Sequence, residues 1–170
     1  MITCFFFKRT SIVVNTIQFS SQVKTHRERM LLKYSVEQVY DVVADVGKYH
    51  NFVPWCLESR VIKSGTNKLD AELVVGFGLF KEKYVSNVTL NFPTSVIAVS
   101  NQTNLFEHLR TEWRLSPLTS DPQSCWIVFQ IDFKFKSTIY NNVSNLFFQN
   151  IVDNMIKAFE SRCKFLYSLK

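Results

Sequence analysis

Long apolar runs are missing from this 170-residue sequence: Lys, Asn or Ser interrupts each one well before the roughly 18 residues that a membrane span requires. We therefore predict a chain that does not cross a bilayer. The four cysteines, Cys4, Cys56, Cys125 and Cys163, form no CxxC pair and have no histidine at metal-ligand spacing. They are expected to be reduced core residues, and no metal site is predicted.

Acidic residues are absent before Glu28, and this opening stretch is basic and rich in Ser and Thr. That composition is typical of a mitochondrial transit peptide. A secretory leader is the alternative, but Lys8 and Arg9 follow the apolar CFFF run instead of preceding it. We predict a transit peptide over residues 1–25 and one folded domain over residues 26–170.

The rest of the chain is nearly neutral, because four of the six excess positive charges lie before Glu28. Hydrophobic residues make up 46% of the sequence, which is too apolar for a disordered chain. Sixteen phenylalanines are more than a domain of this size needs for ordinary packing. They hint at an interior that holds something besides its own side chains.

The first elements of the domain have clear boundary signals. A strand is predicted over residues 27–34, and Ser35 with Gln38 forms a capping box for a helix that runs to residue 46. Gly47 is expected to end this helix.

Alternation of apolar and polar residues predicts antiparallel strands through the middle of the chain, beginning with a hairpin around residues 64–67. The last strand places six apolar side chains on one face: Cys125, Ile127, Phe129, Ile131, Phe133 and Phe135. A long helix is predicted over residues 140–167. This order is typical of an α+β domain in which one curved antiparallel sheet wraps around the final helix.

Five stretches carry a resemblance to a known family, in sequence order: YSVEQVYDVVADVGKYHNFVPWCLESRVI, GLFKEKYVSNVTL, LFEHLRTEWRLSP, CWIVFQIDFKFKSTIY and FFQNIVDNMIKAFESRC. They resemble the mitochondrial coenzyme Q-binding family of START-like proteins over almost the whole chain after the leader. The same elements are otherwise shared mainly with bacterial ribosome-association toxins and, more weakly, with polyketide cyclases. The chain departs from the family pattern at Val128 and Lys134, outward positions where acids usually stand.

The resemblance implies a START-like helix-grip fold around an apolar tunnel, with ubiquinone as the bound lipid and no catalytic cofactor. It implies a lipid chaperone, not an enzyme, that supports respiratory electron transport and ubiquinone biosynthesis. Expected partners are ubiquinone, the matrix side of the mitochondrial inner membrane, and a respiratory-chain or coenzyme Q-synthesis complex. Nucleic acid is not an expected partner.

Residues 48–56 crowd aromatic side chains directly after the first helix, in a helical turn that stops before Pro54. This turn either plugs the core or lines the mouth of a cavity. Gly76 and Gly78 are expected to permit a bend and to leave room beside them. Ligand contacts are predicted for ten residues: Tyr49, Phe52, Trp55, Phe77, Phe80, Tyr84, Trp113, Phe133, Phe148 and Met155. Hydroxyls for the quinone carbonyls are expected from Tyr49, Tyr84 or Ser86.

Two other functions compete with lipid binding. His108, Arg110 and Glu112 share one face of a predicted strand, and they form a plausible catalytic set only if that face lines the cavity, as in a cyclase. We expect the apolar side, with Leu109 and Trp113, to face inward. The second alternative is ribosome or RNA association, which the near-neutral charge of the domain disfavours because RNA affinity depends on Lys and Arg.

The long helix carries apolar residues on two faces. The later face is expected to pack on the sheet and close the cavity; it consists of Phe148, Val152, Met155, Phe159, Cys163 and Leu166. The earlier face is rotated from it and consists of Ile139, Val143, Leu146 and Phe147. This earlier face either packs under a loop or, on our hypothesis, dips into the membrane interface.

Overall fold

The computed structural model describes residues 23–77, 80–100, 103–136 and 139–168; the side chains at positions 77, 80 and 139–152 lie outside the description. The elements are β1 (Lys24–Leu32), α1 (Val36–Ala44), a 3₁₀ helix (Val46–Asn51), β2 (Cys56–Ser64), β3 (Lys68–Phe77), β4 (Phe80–Asn91), β5 (Ser95–Ser100), β6 (Phe106–Leu118), β7 (Asp121–Phe135) and α2 (Ile139–Tyr167). None of the described helices is long and apolar enough to span a membrane. Residues 1–22 of the predicted leader fall outside the description.

The seven strands form one antiparallel sheet in the order β1-β7-β6-β5-β4-β3-β2. Each strand from β2 to β7 pairs with the strand next to it in the chain, as short antiparallel connections permit. Strand β1 pairs with β7 and forms one edge of the sheet. The predicted α+β class, with one curved antiparallel sheet and a long C-terminal helix, is confirmed.

The first strand begins earlier than predicted, at Lys24 instead of residue 27, because its pairing with β7 extends back to Phe133. The Thr25 hydroxyl also donates a hydrogen bond to Asp132, at 2.7 Å. The predicted boundary between leader and domain, after Thr25, therefore falls inside β1.

Helix α1 starts as predicted: the Gln38 backbone N–H donates to the Ser35 hydroxyl, and the Ser35 N–H donates to the Gln38 side chain. Its predicted end is wrong. The helix stops at Ala44 because Asp45 leaves the helical region, with φ −80° and ψ 59°. Gly47 consequently lies within the 3₁₀ helix that follows.

The predicted inner face of β7 is confirmed, since Cys125, Ile127, Phe129, Ile131 and Phe133 are all buried and Phe135 packs against them. The core also takes in the apolar face of α1.

Helix α2 buries Ile156, Phe159 and Cys163 as one stripe at helical spacing. Leu166 was expected on this stripe but is 38% exposed. The stripe continues instead to Tyr167, which lies four residues after Cys163. The Tyr167 ring contacts the ring of Tyr34, with a distance of 6.5 Å between their centroids.

Two phenylalanines on α2 provide a matched test of this packing. Phe159 is 2% exposed and Phe165 is 64% exposed. We expect Phe159→Ala to lower the free energy of unfolding by about 3–5 kcal/mol, because it removes a buried ring, whereas Phe165→Ala changes it by about 0.5 kcal/mol or less. Urea unfolding of both variants measures the difference. Equal effects would contradict the placement of the helix.

Candidate functional site

A cavity of about 180 Å³ lies between the inner face of the sheet, the 3₁₀ helix with the turn that follows it, and helix α2. Every strand from β2 to β7 contributes to its wall, and Met155 and Phe159 of α2 cover it. The wall is mostly aliphatic and aromatic, with a few hydroxyls and the thiol of Cys56. Such a composition suits an apolar ligand that carries few polar atoms.

Five of the ten predicted ligand contacts lie in this wall: Tyr49, Trp55, Tyr84, Trp113 and Met155. The structure brings these five together from four parts of the chain. Their contact with a ligand stays a prediction.

Two predicted contacts do not line the cavity. Phe52 packs edge-on against Tyr49 and Phe159, with centroid distances of 5.7 and 5.1 Å, and lies behind the wall. Phe133 is 3% exposed and packs against Phe135, which takes the lining position. The side chains of the other three, Phe77, Phe80 and Phe148, lie outside the described residues.

Specific bonds fix the aromatic turn, which comprises part of the 3₁₀ helix and the residues after it up to Trp55. The Tyr49 hydroxyl donates to the carbonyl oxygen of Val43 at 2.5 Å, and its ring meets Phe159 edge-on at 5.2 Å. Trp55 adopts a positive φ of 63°, which is unusual for a bulky residue, and its carbonyl accepts from the Gly76 N–H at 2.9 Å. The turn therefore packs into the core against α2 and also lines the cavity, so it does both of the things that the sequence offered as alternatives.

Gly76 does not leave the room that its missing side chain predicts. A Cβ atom there would lie 2.7 Å from Cδ1 of Leu57, so the space beside Gly76 is filled by that side chain. Gly78 lies outside the described residues.

Burial changes the acidity of three groups in the cavity wall. It raises the pKa of Tyr49 and of Tyr84 well above the ordinary value for a phenol, and it raises the pKa of the Cys56 thiol to about 11. All three groups are therefore neutral near pH 7.

The polar side of β6 faces away from the cavity, because Leu109, Thr111 and Trp113 take the lining positions. The expectation that the apolar side faces inward is confirmed. The polar side is less solvated than expected, since Glu112 is only 5% exposed and binds Arg110 at 2.6 Å and also Arg114. Although burial alone raises the pKa of Glu112, the hydrogen bonds from both arginines lower it overall.

Within the described ranges, no group of three or more His, Cys, Asp or Glu side chains lies close enough to hold a metal ion. Cys56, Cys125 and Cys163 are buried free thiols, as predicted, and Cys4 lies outside the description.

Sequence reasoning missed several small or polar lining residues, among them Ala98, Ser100 and Thr111. A signal for them existed. Thr111 lies two residues from Leu109 and two from Trp113, which were expected to face inward. Strand residues that are two apart share one face, so the Thr111 hydroxyl faces inward as well.

Comparison with known proteins first gives the broad family and the fold class of this chain. A family model described as polyketide cyclase / dehydrase and lipid transport matches residues 32–160. The Zhui aromatase/cyclase of Streptomyces sp. R1128 superposes with a TM-score of 0.70 at 15% identity, over 84% of this chain and 94% of that one. An 18 kDa protein of Caulobacter crescentus gives a TM-score of 0.69 at 26% identity, over 85% of this chain and 99% of that one.

Relatives of higher sequence identity indicate the subgroup of this family that the chain resembles. The mitochondrial coenzyme Q-binding protein homolog B of Xenopus laevis is 40% identical over 84% of this chain and 59% of its own length. The mitochondrial coenzyme Q-binding protein of Dictyostelium discoideum is 34% identical, over 88% of this chain and 74% of its own length. The ribosome association toxin of Escherichia coli K12 is 30% identical over 82% of this chain and 87% of its own length.

The chain belongs to the polyketide cyclase, dehydrase and lipid transport family and, within it, to the mitochondrial coenzyme Q-binding proteins. It spans about three fifths of the length of the Xenopus relative.

The buried phenols predict an alkaline loss of stability. In the folded protein, Tyr49 and Tyr84 keep their protons above pH 10, because burial raises their pKa. In the unfolded chain both phenols have the ordinary pKa of 10, so above pH 10 the unfolded state binds fewer protons than the folded state. Their contribution is complete below pH 10 and is lost as the pH rises further. We expect the unfolding free energy to fall less steeply between pH 9.5 and 11.5 in Tyr49→Phe and Tyr84→Phe than in wild type, by urea titration. Equal slopes would contradict the burial of these hydroxyls.

Proposed function

We propose that the chain binds ubiquinone in this cavity and acts as a lipid chaperone, without catalysing a reaction. The observation that carries the proposal is the mostly apolar cavity in a chain of the coenzyme Q-binding family. The names of the relatives support the ligand, and the composition of the wall supports its chemistry.

The physical task of such a protein is transfer. A polyprenyl tail gains about 0.8 kcal/mol in a bilayer for each buried methylene, so it leaves the membrane at a negligible rate unless a comparably apolar site receives it. The cavity is smaller than the roughly 300–1,000 Å³ of sites that enclose a whole drug-sized ligand. We therefore assign it to the ring and the first part of the tail, with the rest of the chain extending beyond it.

A purely binding role agrees with the placement of the polar side chains. The candidate catalytic set of a cyclase-like enzyme lies on the far side of β6, where Glu112 is already bound by two arginines. A reactant in the cavity would meet Leu109, Thr111 and Trp113 on this strand. None of these three side chains is a strong acid or base at neutral pH.

We place the protein in mitochondria, where the relatives are named as residing, with the basic leader that precedes β1 as the transit peptide and the domain on the matrix side of the inner membrane. There it is proposed to support respiratory electron transport and ubiquinone biosynthesis, in contact with a respiratory-chain or coenzyme Q-synthesis complex. The acid-free, basic leader supports the import step.

Filling the cavity tests the ligand site. Ala98 lines the cavity from β5, whereas Val85 is 42% exposed on β4. We expect Ala98→Phe to abolish most uptake of ubiquinone from vesicles, because the added ring occupies much of the space, and Val85→Phe to leave uptake unchanged. The measurement is ubiquinone in the soluble fraction after vesicles are removed. Full uptake by folded Ala98→Phe protein would place the ligand elsewhere.

Peripheral membrane contact is supported by a surface groove beside the cavity, which we call the Arg162 groove. It is lined by Asn51, Phe52, Pro54, Asn154, Lys157, Ala158, Ser161, Arg162 and Phe165. The Arg162 guanidinium lies between the rings of Phe52 and Phe165, at 5.5 and 5.2 Å from their centroids.

The Arg162 groove suits an anionic phospholipid surface. Among the described residues, two cations and no acid line it, and neither Lys157 nor Arg162 forms an ion pair with any of them. Phe165 offers an exposed ring for the interface. Pro54 belongs to both the groove and the cavity wall, so contact here would bring the cavity close to the bilayer.

A charge-matched pair of variants tests the membrane contact. We expect Lys157→Gln with Arg162→Gln to weaken sedimentation with phosphatidylcholine vesicles containing cardiolipin roughly tenfold or more, since each cation near an anionic surface contributes about 1 kcal/mol. The control, Lys63→Gln with Lys68→Gln, removes two exposed cations at the hairpin of β2 and β3 and should bind like wild type. Equal binding by both double variants would move the contact elsewhere, for example to the earlier face of α2, whose side chains lie outside the description.

Ribosome association is the second candidate, favoured by the 30% identity to the Escherichia coli toxin. Ribosome association would not require a ligand in the cavity. The Ala98→Phe variant therefore separates the two proposals, since ribosome binding would be unaffected by a filled cavity.

A further inference from the structure

Five hydroxyl groups lie in the mostly apolar wall of the cavity, and one of them, that of Tyr49, already donates to Val43. The other four belong to Tyr84 and Ser86 on β4, Ser100 on β5 and Thr111 on β6. Ser86 and Ser100 are buried, at 3% and 2% exposed.

The strand register collects these hydroxyls in one place. Val88 pairs with Ala98 and Asn87 with Val99, so continuing the antiparallel register sets Ser86 opposite Ser100. Tyr84 precedes Ser86 by two residues and therefore shares its face of β4.

Thr111 extends the group to the next strand. It pairs with Ala98 on β5, and Ser100 pairs with Leu109. Thr111 is therefore a diagonal neighbour of Ser100 on the inner face of the sheet, within reach of a ring-sized ligand.

Three other hydroxyls in the interior are already bonded. The Tyr49 hydroxyl donates to Val43, the Ser59 hydroxyl to Gly47 at 3.0 Å, and the Ser124 hydroxyl to Asp121 at 2.6 Å. No side-chain hydrogen bond joins the hydroxyls of Tyr84, Ser86, Ser100 or Thr111 to another residue that the structure describes. Ser86 and Ser100 are buried and Tyr84 and Thr111 are partly buried, so all four hydroxyls are available to a hydrogen-bonding partner that enters the cavity.

We infer that Tyr84, Ser86, Ser100 and Thr111 form a head-group subsite, which donates hydrogen bonds to the carbonyl oxygens of the bound lipid. A quinone ring offers only acceptors, two carbonyls on opposite edges, and hydroxyls are the matching donors. The ring then lies against β4 and β5, and the first part of the tail lies against Trp113, Phe129 and Phe159. This inference rests on the proposed function and names the residues that select the head group.

The subsite would discriminate between lipids that differ only in their polar head. A site built to hydrogen-bond a ligand rejects an analogue without the bonding group, because its own donors are then left unpaired. Ubiquinone should therefore bind better than an isoprenoid hydrocarbon of similar size.

The test compares ubiquinone with squalene, which has an isoprenoid chain and no oxygen. We expect Ser86→Ala with Ser100→Ala, and separately Tyr84→Phe, to weaken ubiquinone binding about tenfold while squalene binding stays constant or improves. Both changes remove hydroxyls with little change in shape. Binding is measured by partition from vesicles, with thermal unfolding as a check on folding.

Ser124→Ala is the matched control. It removes a buried hydroxyl that lies outside the cavity wall and donates to Asp121 at 2.6 Å. The ratio of ubiquinone to squalene binding should therefore equal that of wild type.

The outcomes separate the inference from the proposed function. Wild-type protein that binds ubiquinone, with an unchanged ratio in both hydroxyl variants, overturns the head-group subsite alone. Wild-type protein that binds no ubiquinone overturns the proposed function and the subsite with it. A lowered ratio in Ser124→Ala equal to that in Ser86→Ala with Ser100→Ala also overturns the subsite, because the effect would then not depend on a hydroxyl in the cavity wall.

Discussion

The register of one antiparallel sheet determines which side chains meet the cavity. On β6, Leu109, Thr111 and Trp113 point inward, and the intervening Arg110 and Glu112 point outward. A slip of one residue would exchange the two sets and place an ion pair inside an apolar cavity. The long pairing of β6 with β7, from Phe106 to Leu118, therefore fixes the chemistry of the site as well as the fold.

The same constraint divides the sheet into two environments. On the outer face, Asp132 accepts hydrogen bonds from Thr25 and Gln130 and pairs with Arg110, so charges there neutralise one another. On the inner face, the rings of Trp113, Phe129 and Phe159 pack together and leave a space beside them. An apolar ligand that enters this space stabilises the folded state by mass action.

Much of this arrangement could be predicted from the sequence. Alternation along β7 predicted its inner face, and the capping box of Ser35 and Gln38 predicted the start of α1. Five of ten predicted contacts lie in the cavity wall: Tyr49 and Trp55 belong to the aromatic turn, whereas Tyr84, Trp113 and Met155 lie on β4, β6 and α2.

The remainder depends on local backbone conformation or on contacts between distant parts of the chain. The end of α1 depends on the conformation of Asp45, and the space beside Gly76 is filled by Leu57 from another strand. Phe133 and Phe135 share one face of β7, yet only Phe135 lines the cavity, because the packing of the two rings against each other decides which one meets the space. Ser100 and Thr111 look like ordinary strand residues until the register places them beside Ser86.

The central claim is that the apolar cavity holds a quinone lipid. Purification of the domain from a ubiquinone-containing host, followed by organic extraction and mass spectrometry, tests it most directly. The account predicts ubiquinone in the extract of wild-type protein and little in that of Ala98→Phe. An extract without quinone, together with no uptake from ubiquinone vesicles, would contradict it.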